Sequence, residues 1–152
     1  MYVIFKKILF LFDPEFAHHL AIFGLRLIDK IGLLGLICEK PKCTSRIVCG
    51  IKFENPVGLA AGFDKNAEYI DLMSKLGFGF IEVGTLTPLP QLGNAKPRSF
   101  RLTKEEGIIN RFGFNNNGID QAIENIKKIK FTGVLGINIG KNFNTPIESA
   151  IE

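Results

Sequence analysis

The sequence predicts an α/β protein in which a parallel β-sheet follows a small N-terminal helical domain. Apolar strand patterns alternate with helical patterns of 3.6-residue period along residues 46–152. These strands are apolar throughout, which is typical of parallel strands that are covered on both faces. Residues 1–40 carry two amphipathic helical patterns instead. We therefore predict two domains, at residues 1–40 and 46–152, joined by a polar segment that is rich in turn-forming residues.

The N-terminal domain begins with an apolar segment, residues 1–12, that Lys6 and Lys7 divide into two short runs. A membrane span needs about 20 apolar residues, so the pattern favours a helix that lies in an interface. The segment Asp13–Glu15 predicts the start of a second helix, with an acidic N-cap and proline at the first helical position. That helix is expected to end near Gly32. Packing of both helices on the main domain explains the pattern equally well.

Composition and charge exclude several classes of protein. Hydrophobic residues make up 46% and charged residues 22%, which is an ordinary globular mixture and too apolar for a disordered chain. The net charge is +4, and the basic excess lies mainly in residues 1–46, which suits an anionic surface such as lipid headgroups. No dense Lys/Arg stripe is present, so no nucleic-acid partner is expected. The three cysteines lack zinc-site spacing and are expected to be free thiols, with no metal site.

The second domain is predicted to contain a strand pair, three apolar strands, and helices between and after them. The predicted elements are a strand pair at Arg46–Phe53, strands at Pro56–Gly62, Phe78–Thr85 and Gly133–Ile139, helices at Lys65–Leu76 and Gly118–Ile129, a long loop at residues 86–118, and a last helix capped by Thr145. Ile119, Ala122, Ile123 and Ile126 are expected to face inward from the second of these helices. In βα folds, ligands bind at the C-terminal ends of the strands.

Two segments at these strand ends and loops carry chemistry. Lys65 follows the first apolar strand at a helix start, where the helix dipole disfavours a cation, and this favours a role in binding an anion or a carbonyl. The segment Asn110–Gly118 combines four asparagines and an arginine with phenylalanine and glycine. Amides can recognise a flat polar heterocycle, whereas a helix cap explains only Asn117 and Gly118. The glycines at residues 76–79 and 136–142 do not fit a nucleotide-binding fingerprint.

Together these stretches resemble the motifs of the dihydroorotate dehydrogenase family. The similar segments are Asn55–Asn66, Gly77–Pro88, Lys96–Leu102, Asn110–Gly118 and Gly136–Asn142, and the resemblance runs in order over residues 13–152. The helix start Asp13–His18 resembles the membrane-associated, quinone-using class. Another flavin barrel, such as the cytosolic class without an N-terminal helical extension, is disfavoured.

The resemblance implies an FMN-dependent (β/α)₈ TIM barrel, of which this chain would hold about three of eight strands. It implies oxidation of dihydroorotate to orotate in de novo pyrimidine (UMP) biosynthesis. The electrons would pass through FMN to a ubiquinone-type quinone. It also implies a peripheral location on the cytoplasmic face of the inner membrane.

The resemblance also implies which residues form the site. Flavin contacts are expected from Ala61, Gly62, Phe63, Asp64, Lys65, Thr85 and Asn138. Substrate contacts are expected from Lys65, Asn110, Arg111, Phe112, Gly113 and Phe114. His18 and Arg101 match positions near the mouth of the quinone tunnel. The catalytic serine base is expected beyond Glu152, so no catalytic residue is expected in this chain.

The length limits what the chain is expected to do alone. A complete barrel takes about 250 residues, so we expect the 152-residue chain to be truncated and inactive by itself. A complementary C-terminal fragment, where one exists, would be a further partner. The alternative is a non-catalytic truncated or split-gene fragment with only membrane-binding or interaction capacity. A downstream reading frame that encodes the remaining strands would separate the two.

Overall fold

The computed structural model describes residues 2–38, 41 and 43–150. The predicted domain ends at residues 40 and 152 lie outside the described residues. In chain order the elements are α1 (Tyr2–Leu9), α2 (Pro14–Lys30), α3 (Leu34–Ile37), β1 (Arg46–Val48), β2 (Ile51–Phe53), β3 (Gly58–Leu59), α4 (Ile70–Ser74), β4 (Phe80–Leu86), β5 (Ser99–Leu102), β6 (Gly107–Asn110), α5 (Ile119–Ile126) and β7 (Val134–Ile139), followed by a 3₁₀ turn at Ile147–Ser149.

The chain divides into two compact units. Unit 1 contains residues 1–37 and 94–112, and unit 2 contains residues 38–93 and 113–152. Unit 1 therefore combines the N-terminal helices with a segment from the middle of the sequence.

In unit 1, helix α2 begins where the sequence predicts. The Asp13 carboxylate accepts hydrogen bonds from the backbone N–H groups of Glu15 (2.9 Å) and Phe16 (3.1 Å), and Pro14 occupies the first helical position. The helix ends at Lys30, close to the predicted end at Gly32. The short helix α3 that follows was not predicted.

The predicted loop at residues 86–118 is wrong in its middle, because β5 and β6 form an antiparallel hairpin there. Phe100 pairs with Ile109, and Ser99 pairs with Asn110. The turn places Glu106 in the left-handed region, at φ +50°. Residues at positive φ in hairpin turns are usually Gly, Asn or Asp. Because glutamate occupies this position, the sequence gives no turn pattern from which the hairpin could be predicted.

A buried ion pair attaches the start of α2 to the loop before this hairpin. The Arg98 guanidinium donates to the two Glu15 carboxylate oxygens at 2.7 and 3.2 Å, and the Arg98 side chain is only 8% exposed. Lys96 lies 3.3 Å from the same carboxylate. The hydrogen bonds from Arg98 are the main cause that holds the pKa of Glu15 below its ordinary value of 4.5.

We expect Glu15→Gln to lower the local stability of α2 by about 1.5–3 kcal/mol at neutral pH. A carboxylate whose folded-state pKa is lowered stabilises the protein at pH values above its unfolded-state pKa. This stabilisation is lost as the pH falls through the folded-state pKa. The difference between the variant and the original chain should therefore shrink below pH 4.5. Amide hydrogen exchange of the first turns of α2 measures it. The control is Glu106→Gln, because the Glu106 side chain is 85% exposed and lies 4.0 Å from Lys6. Equal exchange in both variants would contradict the prediction.

Unit 2 is built around the predicted parallel sheet, in the order β3-β4-β7. The middle strand supplies much of the core, since Ile81, Val83 and Leu86 are almost fully buried. Helix α4 packs Ile70 and Met73 into the same core. The predicted strand pair at residues 46–53 is confirmed as the antiparallel hairpin β1-β2.

Several predicted elements of unit 2 are shorter than expected. The strand expected at Pro56–Gly62 is only Gly58–Leu59, and the helix expected at Lys65–Leu76 is only Ile70–Ser74. The helix starts late because the Asp64 carboxylate binds the backbone N–H groups of residues 66, 68 and 69 and holds them in a turn.

The last two predicted helices also need correction. Thr145 caps no α-helix, because the segment forms a 3₁₀ turn that begins after Pro146. Helix α5 buries Ala122 fully, but Ile119 and Ile123 are 38% and 42% exposed. The inward face predicted for α5 is therefore only partly covered within the described residues.

Candidate functional site

The C-terminal ends of the three parallel strands bring several predicted flavin residues together in unit 2. Thr85, on β4, donates a hydrogen bond from Oγ1 to Oδ1 of Asn138 on β7, at 2.6 Å. Asn138 then donates from Nδ2 to Glu82 Oε1 at 3.0 Å. The segment after β3 joins this edge, because the Gly62 N–H donates to the Gly84 carbonyl at 2.7 Å. A hydroxyl, an amide and a carboxylate are thus connected by hydrogen bonds, from the strand ends back to Glu82 inside β4.

Glycines shape this edge. Gly84 has φ +109°, and a Cβ there would collide with the Asn138 carbonyl oxygen, so the strand ends approach closely only with glycine. Gly62 has φ +101°, but a Cβ there would meet no atom within 4 Å. The backbone at Gly62 therefore faces open space, which leaves room for a ligand.

Asp64 is fully buried beside this open position. Its carboxylate accepts from the backbone N–H groups of Glu68 (2.9 Å) and Tyr69 (2.7 Å), and its own carbonyl accepts from the Gly84 N–H at 2.9 Å. Burial raises the pKa of the Asp64 carboxyl, against the opposing effect of these N–H groups. The Asp64 carboxylate therefore binds the backbone of the residues that follow it in the chain, and this fixes the backbone on either side of Lys65.

Lys65 is half-buried at this edge. Its ammonium donates to the Gly62 carbonyl at 2.6 Å, which folds the side chain back over the loop. An ammonium group is a cation with three N–H donors, and this chemistry suits an anionic or carbonyl ligand.

The predicted substrate segment is divided between the two units. Asn110, Arg111 and Phe112 belong to unit 1, whereas Gly113 and Phe114 belong to unit 2. Asn94, which was not among the predicted residues, binds the backbone of Arg111 and Phe112. Its N–H donates to the Phe112 carbonyl at 3.0 Å, and its Nδ2 donates to the Arg111 carbonyl at 2.7 Å. The Arg111 side chain donates to the Pro97 carbonyl at 3.2 Å.

The predicted quinone-site residues lie in unit 1. His18 is half-buried on α2, with its ring 5.6 Å from that of His19. Arg101, on β5, donates to the carbonyls of Phe12 (2.6 Å) and Leu9 (3.3 Å) at the end of α1. It also lies 4.5 Å from the centre of the Phe10 ring. A cation at a helix C-terminus is favourable, so Arg101 holds the end of α1.

No helix among the described residues is both long and apolar enough to cross a membrane. In the same part of the chain, no group of three or more His, Cys, Asp or Glu side chains could hold a metal ion. The three cysteines are free thiols, as predicted.

Comparison with known proteins identifies the class of this fold and site. The family model for dihydroorotate dehydrogenase matches residues 44–152. The chain therefore belongs to the dihydroorotate dehydrogenase family, as its motifs predicted.

Its curated relatives carry the name dihydroorotate dehydrogenase (quinone), an oxidoreductase. The relative from Methylobacillus flagellatus is 56% identical over 152 residues, which cover 100% of this chain and 45% of the relative. The relative from Buchnera aphidicola is 58% identical, over 99% of this chain and 45% of its own length. A solved structure of DHODH from Eimeria tenella, in complex with ferulenol, superposes with a TM-score of 0.71 at 42% identity, covering 88% of this chain and 37% of that one. The chain thus spans less than half the length of these relatives, and the mixed α/β fold with its parallel sheet fits a TIM-barrel family.

Proposed function

We propose that this chain supplies the N-terminal domain and the first three barrel strands of a quinone-dependent dihydroorotate dehydrogenase. Such an enzyme oxidises dihydroorotate to orotate in de novo pyrimidine biosynthesis. The observation that carries the proposal is the meeting of the Lys65 loop, Thr85 and Asn138 at one edge of a parallel sheet. The domains at residues 1–40 and 46–152 follow from the same proposal.

The residues at this edge fit FMN. The Thr85 hydroxyl and the Asn138 amide are neutral polar groups suited to a flavin ring, and the open backbone at Gly62 leaves room for a flat ligand. The five residues Ala61–Lys65 are proposed to contact FMN. Asp64 would do so through its backbone, because its carboxylate is bound within its own loop. When bound, FMN supplies a hydride acceptor.

Lys65 and the Asn110–Phe114 segment are proposed to bind dihydroorotate. A lysine cation suits the substrate carboxylate, and the Asn110 amide suits its ring carbonyl and N–H groups. The Oδ1 atom of Asn115, the next residue, is buried and has no hydrogen-bond partner within the described residues. An unpaired acceptor beside this segment supports a ligand there. The serine base is proposed to come from a part of the enzyme outside these 152 residues.

Unit 1 is proposed to place the enzyme peripherally on the cytoplasmic face of the inner membrane. Helix α1 and the residues after it expose large apolar side chains, namely Val3, Ile4, Phe5, Ile8 and Leu11. Lys6 and Lys7 add positive charge on the same helix. A ubiquinone-type quinone would enter near His18 and Arg101.

We expect the chain to bind anionic vesicles and Ile4→Asp to weaken that binding about tenfold. Ile4 is 65% exposed, and burying an isoleucine in lipid is worth about 1.5–3 kcal/mol. The control is Ile47→Asp, because Ile47 is 74% exposed on the β1-β2 hairpin of unit 2. Flotation with vesicles, with and without anionic lipid and at two salt concentrations, is the measurement, because aggregated protein does not float. Equal binding of the two variants, or no binding under any condition, would refute the proposal.

A second candidate function is that of a non-catalytic interaction fragment. Strand β7 lies at the edge of its sheet in the described part of the chain, and Ile139 is 75% exposed. Such an edge can pair with another strand. A complementary C-terminal fragment that completes the barrel is the partner this edge would take.

The experiment that tests the proposed function is a chimaera in which this chain replaces the matching N-terminal part of the Methylobacillus flagellatus relative. We call this protein the chimaera. It should bind FMN and reduce quinone when given dihydroorotate. A chimaera that folds and holds FMN but shows no such turnover would contradict the proposal.

A further inference from the structure

The side chain of Asn116 is saturated with hydrogen bonds. It is 6% exposed, and its Nδ2 donates to Thr87 Oγ1 (2.8 Å) and to the Phe114 carbonyl (2.7 Å). Its Oδ1 accepts from the backbone N–H groups of Gly118 (2.8 Å) and Thr87 (3.3 Å). A primary amide has two donors and two lone pairs, and all four are used here.

Gln91 holds the same segment from its other side. Its Nε2 donates to the carbonyls of Gly113 (3.1 Å) and Phe114 (3.2 Å). Its backbone pairs with that of Asn116 through two hydrogen bonds of 3.0 Å. Its Oε1 accepts from the Phe143 N–H at 2.9 Å and so fixes the glutamine itself.

The segment needs this support because its backbone is strained. Phe114 has φ +52°, in the left-handed region that a residue with a bulky side chain rarely adopts. Its carbonyl accepts from both Gln91 and Asn116, and the residue is 55% exposed. The two amides therefore hold Gly113 and Phe114 in a conformation that the chain would otherwise leave.

We propose that Asn116 and Gln91 are positioning residues that act on dihydroorotate through the backbone of Gly113 and Phe114. The inference rests on the proposed function, in which Gly113 and Phe114 contact the substrate. Neither amide side chain is among the proposed substrate contacts. Both hold the Phe114 carbonyl, and Gln91 also holds the Gly113 carbonyl, so together they fix the backbone of two residues that are proposed contacts. Loss of either amide should let the segment relax and weaken substrate binding, without affecting electron transfer to quinone.

The test uses three variants of the chimaera. Asn116→Ala removes all four hydrogen bonds of the buried amide. Gln91→Glu keeps the Oε1 acceptor that Phe143 needs, but it replaces the donor to the two loop carbonyls by a carboxylate oxygen that repels them. The matched control is Asn117→Ala, because the Asn117 side chain is exposed and forms no hydrogen bond within the described residues.

Two half-reactions are measured in each variant, together with flavin content. We expect Asn116→Ala and Gln91→Glu each to raise the KM for dihydroorotate at least about fivefold. The rate at which quinone reoxidises the reduced flavin should stay within about twofold of that in the unsubstituted chimaera. Asn117→Ala should match the unsubstituted chimaera in both half-reactions.

If Asn116→Ala fails to fold, the KM of Gln91→Glu alone tests the inference. An unchanged KM, or a parallel fall of both half-reactions with flavin content, would overturn the inference. An unsubstituted chimaera that folds but is inactive would overturn the proposed function and this inference with it.

Discussion

Lys65→Ala and Asn110→Ala, each made in the chimaera, are expected to lower kcat/KM for dihydroorotate by about ten- to a hundredfold. Each substitution removes a hydrogen bond to a polar or charged part of the proposed substrate, and this costs the transition state about 1.5–3 kcal/mol. The Lys65 ammonium lies 2.6 Å from the Gly62 carbonyl, so the loop already holds it at the strand ends. Asn110 ends β6, where pairing with Ser99 fixes its backbone.

Steady-state kinetics at varied dihydroorotate concentration measure both effects. The matched controls are Lys128→Ala and Asn117→Ala, which remove the same side chains at exposed positions of unit 2. If Lys65→Ala and Asn110→Ala leave kcat/KM at the level of their controls, the proposed substrate contacts are wrong.

The 152-residue chain, purified without the rest of a relative, is expected to show no dihydroorotate oxidation and weak or no FMN binding. No strand of the described residues pairs with the outer edge of β7, and Ile137, Ile139 and Phe143 are 46%, 75% and 85% exposed. Parallel strands are normally covered on both faces, so this surface favours aggregation. Without a positioned base, proton abstraction alone loses about 10²–10⁴-fold in rate.

Dihydroorotate-dependent dye reduction and flavin fluorescence of the purified chain test this expectation. The chimaera, prepared in the same way, is the positive control. Stoichiometric flavin and turnover in the chain alone, near that of the chimaera, would show that the remaining strands are dispensable.

Features determined by neighbouring residues could be predicted from the sequence. The start of α2 depends on Asp13 and Pro14, and the β1-β2 hairpin depends on a turn at Cys49 and Gly50. The parallel arrangement follows from the apolar strands and the helices between them. The predicted flavin residues Thr85 and Asn138 meet because the C-terminal ends of parallel strands lie at one edge.

Features determined by distant residues could not be predicted. Arg98 meets Glu15 across 83 positions of sequence, and Arg101 meets Phe12 across 89. No local pattern encodes such pairs. Helix α4 starts late for a different reason, since the Asp64 side chain competes with the helix for the backbone N–H groups of the following residues. A buried asparagine such as Asn116 looks, in sequence, like any other turn residue.

Anaerobic reduction of the flavin in the chimaera tests most directly whether this chain forms the flavin and dihydroorotate edge of the enzyme. Dihydroorotate is added without quinone, and the visible absorbance of the bound FMN is followed. We predict complete bleaching in the unsubstituted chimaera, and bleaching that is about ten- to a hundredfold slower at low substrate concentration when Lys65 is replaced by alanine. Stoichiometrically bound FMN that dihydroorotate does not reduce, or that it reduces equally fast with Lys65→Ala, would contradict the assignment of this edge.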